Sequence, residues 1–255
     1  MTYNIRKGLH PWKKRCLMVP LARRVKEFEP DLVLLQEFPG EHRGRFDEQS
    51  SFEKINSGRW GFQAYARSLR TRVGHHGNAI LSRYPIVKWE SFDLSASLLD
   101  RRSLVAAKIQ IGNQEVWVLN VHLGLLGRWR ASQLSLLSER IASISAQTPV
   151  ILGGDFNDWD LKLHESLRGR GWIEAHEHAR GDLAQTFPSQ FPVLKLDRIY
   201  VRGCEVLDAH VISETSEEQK GWDALSDHLA LMTSLKWNAC QAEGESAGWD
   251  ANEEA

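Results

Sequence analysis

Polar residues recur in this sequence where apolar runs end, and all of them are Asn, Asp, Glu or His. Glu37 closes the aliphatic run DLVLLQE, His122 lies near the end of another run, and Asp155 follows two consecutive glycines. A rigid sheet holds the residues at its strand ends in fixed geometry, so this pattern indicates a functional site. The full set is Asn4, Glu37, His122, Asp155, Asn157, Asp197, Asp227 and His228.

These residue types suit metal-assisted phosphate chemistry. Carboxylate and amide oxygens are hard ligands that favour Mg²⁺ or Mn²⁺. A histidine backed by a carboxylate is an oriented acid or base, and together with a metal ion it can support phosphate ester hydrolysis. Structural interpretations stand beside this one. Asp155 and Asn157 are typical turn residues, His122 could be a core histidine, and Asp197 could pair with Arg198 or Lys195.

Seven apolar runs are predicted as strands. The four consecutive aliphatic residues in Asp31–Glu37 are typical of a strand buried on both faces. In Val116–Leu123, Asn120 and His122 share one face, because side chains alternate along a strand. The other predicted strands are 105–111, Pro149–Leu152, Leu196–Val201, Val206–Ile212 and Leu229–Leu235.

Two amphipathic stretches are predicted as helices. Pro20 suits a first helical turn, and Pro30 ends that helix. A second helix is predicted from about Arg130, with the buried stripe Leu134, Leu137, Ile141 and Ile144. Many strands with few helices between them favour packed sheets with outer helices over a simple βαβ series.

Composition and charge indicate one large domain. Of the 255 residues, 42% are hydrophobic and 25% are charged, a usual balance for a folded domain. The five charged residues after Trp237 are all acidic, so residues 1–237 carry a net charge of +4, from 32 basic and 28 acidic residues. We predict one domain over 1–237 and an acidic, disordered tail over 238–255. This mild positive charge is not typical of a nucleic-acid-binding domain of very high isoelectric point. The basic loops of the first third fit an anionic substrate or a solvated basic surface.

Cysteine spacing and hydropathy exclude several classes of protein. The three cysteines form no CxxC pair, which argues against a zinc knuckle or a redox motif. No run approaches the roughly 20 apolar residues of a membrane span, and no apolar signal core begins the chain. A cytoplasmic location is the expectation.

Seven motifs together resemble the endonuclease/exonuclease/phosphatase superfamily, with its DNase-I-like fold. The resemblance extends from Met1 to about Trp237. HHGNAILSRYPI and TFPSQFPVLKLDRIYV (186–201) are most similar to the small bacterial YbhP-like branch. The motifs are YNIRKG (3–8), LLQE (34–37), HHGNAILSRYPI (75–86), NVHLG (120–124), GGDFND (153–158), LDRIYV (196–201) and LSDH (225–228).

The resemblance implies a four-layer α/β/β/α sandwich of two mixed β-sheets with outer helices. It also implies Mg²⁺-dependent hydrolysis of a phosphate ester at one end of the sandwich. Glu37 would be the main Mg²⁺ (or Mn²⁺) ligand, with Asn4 beside it and Asp227 nearby. Asp155 would orient or deprotonate the attacking water, and Asn157 would hold the scissile phosphate.

The remaining implied roles belong to two histidines and their partners. His228 would contact the phosphate and take part in proton transfer, paired with Asp197. His122 would stabilise the phosphate or protonate the leaving oxygen, and Asn120 on the same strand face would support phosphate binding. Which histidine assists the leaving group stays open.

The substrate stays open within this chemistry. A phosphodiester is the first expectation, and DNA or RNA cleavage by a nuclease is the alternative. Hydrolysis of a phospholipid head group would gain support from exposed loop tryptophans such as Trp12 or Trp60, and a small soluble phosphodiester would need a closed pocket. A non-catalytic phosphate-binding module is the alternative from another class. No obligate protein partner is evident, and a monomer is expected.

Four further residues have an open role. His75 and His76 lie before Gly77 in a predicted loop that either faces the substrate or forms a surface turn. Arg128 and Arg130 follow the NVHLG strand and either reach phosphate or begin a solvated helix face.

Overall fold

Two six-stranded mixed sheets packed face to face, with helices outside both, form the centre of the structure. The structure is a computed structural model, and it describes residues 1–9, 16–42, 51–55, 58–71, 74–213 and 221–237. The predicted four-layer α/β/β/α sandwich is confirmed. The predicted tail over 238–255 lies outside the described residues, as does Trp12. None of the helices in the described ranges is long and apolar enough to cross a membrane.

The elements follow one another in the chain as twelve strands and five helices within the described residues. The strands are β1 Thr2–Asn4, β2 Leu32–His42, β3 Phe62–Thr71, β4 Gly74–Ser82, β5 Ile86–Asp93, β6 Ser103–Ile111, β7 Gln114–His122, β8 Val150–Asp155, β9 Ile173–Glu174, β10 Asp197–Arg202, β11 Cys204–Ile212 and β12 Ala230–Trp237. The helices are α1 Met18–Glu27, α2 Ser51–Ile55, α3 Gly127–Ala142, α4 Lys162–Arg168 and α5 Ala175–Arg180.

The strand order brings several strand ends to one end of the sandwich. The first sheet has the order β11-β12-β1-β2-β4-β3, and the second has β5-β6-β7-β8-β10-β9. The pairs β1–β2 and β7–β8 are parallel, so their carboxyl ends meet at one edge of each sheet. β12 and β10 run antiparallel to these pairs and begin where they end. The predicted polar residues therefore lie at matching positions of neighbouring strands.

Three apolar layers hold the sandwich together. A central core between the sheets contains Leu34, Val118 and Ile199, and an outer core packs α1 against the first sheet. A second outer core packs α3 against the second sheet and contains Trp117. Val118 and Trp117 thus face opposite sides of β7, which confirms the predicted alternation along this strand.

Two predicted boundaries differ from the structure. β8 continues through Gly153 and Gly154 to Asp155, whereas the predicted strand ended at Leu152. Gly154 has a φ of 147°, and a Cβ there would lie 2.0 Å from the carbonyl oxygen of Val121 on β7. The glycines therefore permit a close approach of two strands and do not end one. Helix α3 begins at Gly127, earlier than the predicted Arg130.

Candidate active site

One row across the second sheet carries three of the predicted residues. The parallel register of β7 and β8 sets His122 opposite Asp155. The antiparallel register of β8 and β10 sets Asp197 opposite the same Asp155. Because directly paired residues project to the same face of a sheet, this row presents two carboxylates and an imidazole together at the end of the sandwich.

The first sheet supplies Asn4 and Glu37 to the same end. The register of β1 and β2 pairs Asn4 with Gln36, so Glu37 follows directly at the edge. Glu37 lies in a bulge of β2 with a φ of 52°, and Asn157 after β8 has a φ of 48°. Positive φ is uncommon for residues other than glycine and is often found at functional sites. Two of the predicted residues therefore occupy strained backbone positions.

Asp155 is the centre of the hydrogen-bonded network. Its Oδ2 accepts a hydrogen bond from Asn4 Nδ2 at 3.0 Å, and its Oδ1 accepts one from the backbone N–H of Asn157 at 3.0 Å. His122 Nε2 lies 3.4 Å and His228 Nε2 lies 3.7 Å from Asp155 Oδ2. Residues from both sheets thus converge on a single buried carboxylate.

Asp197 and His228 form a buried pair next to this carboxylate. His228 Nδ1 donates to Asp197 Oδ2 at 2.7 Å, and Thr186 Oγ1 donates to the same oxygen at 2.6 Å. With Nδ1 held in this way, the imidazole presents Nε2 towards Asp155 and the cavity. This is the arrangement expected of a histidine whose orientation is fixed by a carboxylate.

The two histidines have opposite electrostatic surroundings. Burial and the nearby Arg102 lower the pKa of His122 to about 3, against the attraction of Asp155. Burial alone would lower the pKa of His228, but the carboxylates of Asp197 and Asp155 outweigh it and raise that pKa to about 9. At neutral pH His122 is therefore an uncharged imidazole and His228 is an imidazolium.

A cavity of about 390 Å³ collects most of the predicted residues. Its lining includes Asn4, Glu37, His122, Asp155, Asn157 and His228. A second cavity of about 280 Å³ lies at the opposite end of the strands, lined by residues such as Met1, Leu32 and Trp237 and by none of the predicted site residues.

Two oxygen donors predicted as metal ligands lie against cations of the chain. Glu37 Oε2 is 3.6 Å from Lys7 Nζ, and Asp227 Oδ2 is 3.4 Å from Arg6 Nε. Lys7 and Arg6 are 44% and 39% exposed, so both long side chains have room to move away from these carboxylates. Together with the amide oxygen of Asn4, the two carboxylates are a donor set of hard oxygens that fits Mg²⁺ or Mn²⁺.

A tighter group of possible ligands lies elsewhere in the site. In the part of the chain that the structure describes, ligand atoms of Asp155, Asp197 and His228 lie within 4.8 Å of one another. Asp197 Oδ2 already accepts hydrogen bonds from both His228 and Thr186, and a metal ion bound there would have to displace them. These hydrogen bonds favour an acid–base role for this group over metal binding.

The structure does not bring Asn120 to the cavity. Its side chain is fully buried between the sheets, where Nδ2 donates to Leu35 O at 2.9 Å and to Ala79 O at 2.8 Å. Its Oδ1 accepts from Gln36 Nε2 at 2.7 Å. These bonds join β7 to strands of the other sheet, so we interpret Asn120 as a residue that fixes how the two sheets meet.

Asn120→Ala tests this interpretation. Removing the amide takes one hydrogen bond from each of three buried groups, at a cost of about 0.5–1.5 kcal/mol per bond. The Gln36 amide keeps its bonds to Thr2 Oγ1 and Leu34 O. We expect urea unfolding to show a loss of several kcal/mol, whereas Asn113→Ala in the exposed β6–β7 turn should change stability by less than about 0.5 kcal/mol. An Asn120→Ala protein of native stability but raised KM would instead return Asn120 to phosphate binding.

Several cavity residues were not singled out in the sequence. Lys7 lines the cavity and lies inside the motif YNIRKG, where its type could have marked it; His76, whose role the sequence left open, lines the cavity as well. Arg102 also lines it, held by Asp100 at 3.0 Å, but belongs to no motif. Thr186 opens a quoted segment, and only the fold reveals its contact with Asp197.

The structure gives different surroundings to the four residues whose role the sequence left open. His75 and His76 lie on strand β4 and not in a loop, and His75 Nδ1 is 2.9 Å from the Tyr65 hydroxyl. Arg130 is buried and forms an ion pair with Asp160 at 2.6 Å, so its role is structural. Arg128 is exposed at the start of α3.

One tryptophan prediction is wrong. Trp60 was predicted as a possible exposed loop residue, but its side chain is fully buried and its Nε1 donates to Pro30 O at 2.9 Å. The indole packs in the core under the first sheet because its single polar atom finds a partner there.

Comparison with known proteins agrees with the fold and the motifs. The chain is 35% identical to the uncharacterized protein YbhP of Escherichia coli over 92% of its own length and 94% of that protein. It is 27% identical to a 5′-tyrosyl-DNA phosphodiesterase of Caenorhabditis briggsae over 69% of its own length and 49% of that protein. Its fold matches the mannosyl-6-phosphatase Bt3783 of Bacteroides thetaiotaomicron with a TM-score of 0.71 at 20% identity, over 92% and 98% of the two chains.

The sequence profile of one family covers nearly all of the folded part. Residues 1–228 match the profile of the Endonuclease/Exonuclease/phosphatase family. This range contains every residue of the network around Asp155, from Asn4 to His228. The chain therefore belongs to the Endonuclease/Exonuclease/phosphatase family, whose members are phosphoesterases and nucleases.

Proposed function

We propose that this protein hydrolyses phosphate esters, with a phosphodiester as the preferred substrate, in a reaction that depends on Mg²⁺ or Mn²⁺. One observation carries the proposal: Asp155 lies within 3.7 Å of two histidines, and one of these is fixed by a second buried carboxylate. A scaffold alone has no need of two carboxylates and two imidazoles in one buried cluster, because burying charged groups is costly.

Asp155 would activate the attacking water. Its two oxygens are held by Asn4 and by the backbone of Asn157, so the carboxylate has a fixed orientation at the floor of the cavity. A fixed carboxylate can accept a proton from water as the oxygen adds to phosphorus. Asn157 lines the same cavity, and the second hydrogen of its Nδ2 would donate to a phosphate oxygen.

His228 would supply positive charge and a proton at the phosphate. Its Nε2 faces the cavity because Nδ1 is bonded to Asp197. As the bond from water to phosphorus forms, the bond from phosphorus to the ester oxygen breaks, and the departing oxygen takes up a proton. The uncharged His122 would add a hydrogen-bond donor in the same cavity. Arg102 and Lys7 would add positive charge there.

A divalent ion would be held by Glu37, Asn4 and Asp227. When bound, it would neutralise part of the charge on the phosphoryl oxygens. Lys7 and Arg6 contact two of these groups through exposed side chains and would reorient. The thiols of Cys16 and Cys204 are free, which fits a reducing compartment, so we propose the cytoplasm as the location.

The function is tested first with two soluble esters. Purified protein should release nitrophenol from bis-p-nitrophenyl phosphate faster than from p-nitrophenyl phosphate, with Mg²⁺ or Mn²⁺ and not with EDTA. A faster monoester reaction would make the protein a phosphatase, the activity named for the Bacteroides relative. If the protein hydrolyses neither ester, and also no DNA, RNA or phospholipid, the non-catalytic binding module would be favoured.

A nuclease is the second candidate. Cleavage of DNA or RNA would require phosphate contacts along a groove, and binding would weaken steeply with salt. Many basic residues that could line such a groove lie outside the described residues, among them Lys13, Lys14, Arg15 and Arg43. The tyrosyl-DNA phosphodiesterase among the relatives gives this candidate its support.

A further inference from the structure

The mouth of the catalytic cavity is surrounded by exposed apolar side chains. Of the 16 large hydrophobic residues exposed in the described part of the chain, eight lie in four loops around this mouth. The three most exposed of all are Leu99 at 91%, Leu98 at 82% and Phe191 at 76%. Large apolar side chains scattered singly over a surface are ordinary, but a group around a site marks an interaction surface.

The four loops all lie at the end of the sandwich where the catalytic residues meet. They are the β5–β6, β7–α3 and β8–α4 connections and the segment that precedes β10. One exposed apolar residue from each loop lines the cavity itself, so the apolar surface is continuous with the site. We call this surface the apolar rim, and its six main residues are Leu98, Leu99, Leu125, Trp159, Phe191 and Leu194.

Basic residues follow the apolar ones along three of these loops. Arg101 comes shortly after Leu99, Arg128 comes shortly after Leu126, and Lys195 follows Leu194. Three acids lie nearby: Asp100 and Asp158 are buried, Asp160 is exposed, and each is paired with a basic residue of the chain, which offsets its charge. The loops around the mouth therefore carry exposed apolar residues and basic residues side by side.

This combination suits a lipid bilayer. Apolar side chains enter the boundary between head groups and acyl chains by about 5–10 Å, and basic residues beside them meet the phosphate layer. The ester phosphates of lipids lie in that layer. A soluble nucleic acid offers a phosphate backbone and no apolar layer, so it leaves the apolar rim without a partner.

We propose that the apolar rim docks the active site onto a lipid bilayer and that the substrate is the phosphate ester of a lipid head group. The substrate part of this proposal rests on the proposed function, whereas the docking part stands on the rim alone. Within the relatives described above, none is named for action on a lipid.

The test compares two double variants. Leu98→Ser/Phe191→Ser removes two of the most exposed rim residues, neither of which lines the cavity. Leu207→Ser/Trp89→Ser is the matched control, because these residues are 55% and 48% exposed but lie within strands β11 and β5. Both variants remove one leucine and one aromatic side chain from the surface, so they match in residue class and differ in their distance from the cavity mouth.

Binding is measured by co-sedimentation with vesicles of phosphatidylcholine and phosphatidylglycerol at a ratio of about 3:1. We expect the native protein and the control to bind, also at high salt, and the rim variant to bind at least about tenfold more weakly. All three proteins should hydrolyse bis-p-nitrophenyl phosphate at rates within about twofold, because the soluble ester does not need the rim.

The possible outcomes separate the two proposals. Hydrolysis of the soluble ester without vesicle binding, or with binding that the rim variant retains, overturns lipid docking and leaves the proposed function intact. Vesicle binding that depends on the rim, with no ester hydrolysed, supports docking and overturns the proposed function. Rim-dependent dimers in gel filtration, or salt-sensitive DNA binding in place of vesicle binding, would assign the surface to another partner and contradict the proposal.

Discussion

Replacing His228 with glutamine is expected to lower kcat for bis-p-nitrophenyl phosphate by about 10²–10⁴-fold, the usual contribution of a positioned acid or base. A glutamine amide can still donate to Asp197, whose Oδ2 also retains the hydrogen bond from Thr186. It can neither hold a positive charge nor give up a proton at the position of Nε2. The substitution therefore removes the acid–base group and leaves most of the hydrogen bonds to Asp197 in place.

His228→Ala should show the same loss of rate with an added loss of stability. Alanine leaves Asp197 buried without its cationic partner, and breaking a buried ion pair from one side costs about 3–5 kcal/mol. Urea unfolding of the two variants would separate the structural effect from the catalytic one. His178→Gln on the exposed face of α5 serves as the control and should retain native kcat and stability.

A native rate in His228→Gln would remove His228 from the reaction. In that event His122, the second histidine at 3.4 Å from Asp155, becomes the candidate for proton transfer. A loss of rate that appears only in His228→Ala would show that the pair with Asp197 matters for folding and not for chemistry. The two variants together therefore decide which role the imidazole has.

The sequence predicted the residue types and their strand ends because both depend on local pattern. An aliphatic run with a polar residue at its end is visible in the order of residues, and this was enough for Glu37, His122 and Asp155. The row formed by His122, Asp155 and Asp197 depends on strand register between β7, β8 and β10. Register is a property of paired strands, and no single run of residues contains it.

Asn120 shows where the local pattern misleads. Its place on the face of His122 was predicted correctly, yet that face lies against the other sheet for most of its length and opens to the cavity only at its end. Position along the strand therefore decides between a structural and a functional role. His122 is two residues further along β7, at the open end.

The apolar rim could not be predicted from the sequence. Its residues come from four loops that are far apart in the chain, and each loop carries only one to three exposed large apolar residues. Such residues are common in ordinary loops and carry no periodic pattern. Only the packing of the two sheets gathers these loops at one end, next to the catalytic residues.

Replacing Glu37 with glutamine is expected to raise the Mg²⁺ concentration required for half-maximal activity by at least about 100-fold. Glutamine keeps the size of the side chain but removes the negative charge that a hard divalent cation favours. This loss should exceed the 10–100-fold effect that follows the removal of an outer hydrogen-bond partner of a metal ligand. Activity is measured across a Mg²⁺ titration, and Mn²⁺ affinity by calorimetry.

Glu27→Gln is the matched control, since Glu27 is a glutamate on α1 paired with Arg24 at 2.6 Å and remote from the cavity. It should leave the Mg²⁺ titration unchanged. Asp197→Asn supplies the decisive comparison, because Asp197 belongs to the alternative ligand group with Asp155 and His228. If Glu37 and its neighbours hold the ion, Asp197→Asn lowers kcat and leaves Mn²⁺ affinity within about threefold of native. If Mn²⁺ affinity falls in Asp197→Asn and not in Glu37→Gln, the ion binds at the Asp155 group, and the acid–base role assigned to that group is wrong.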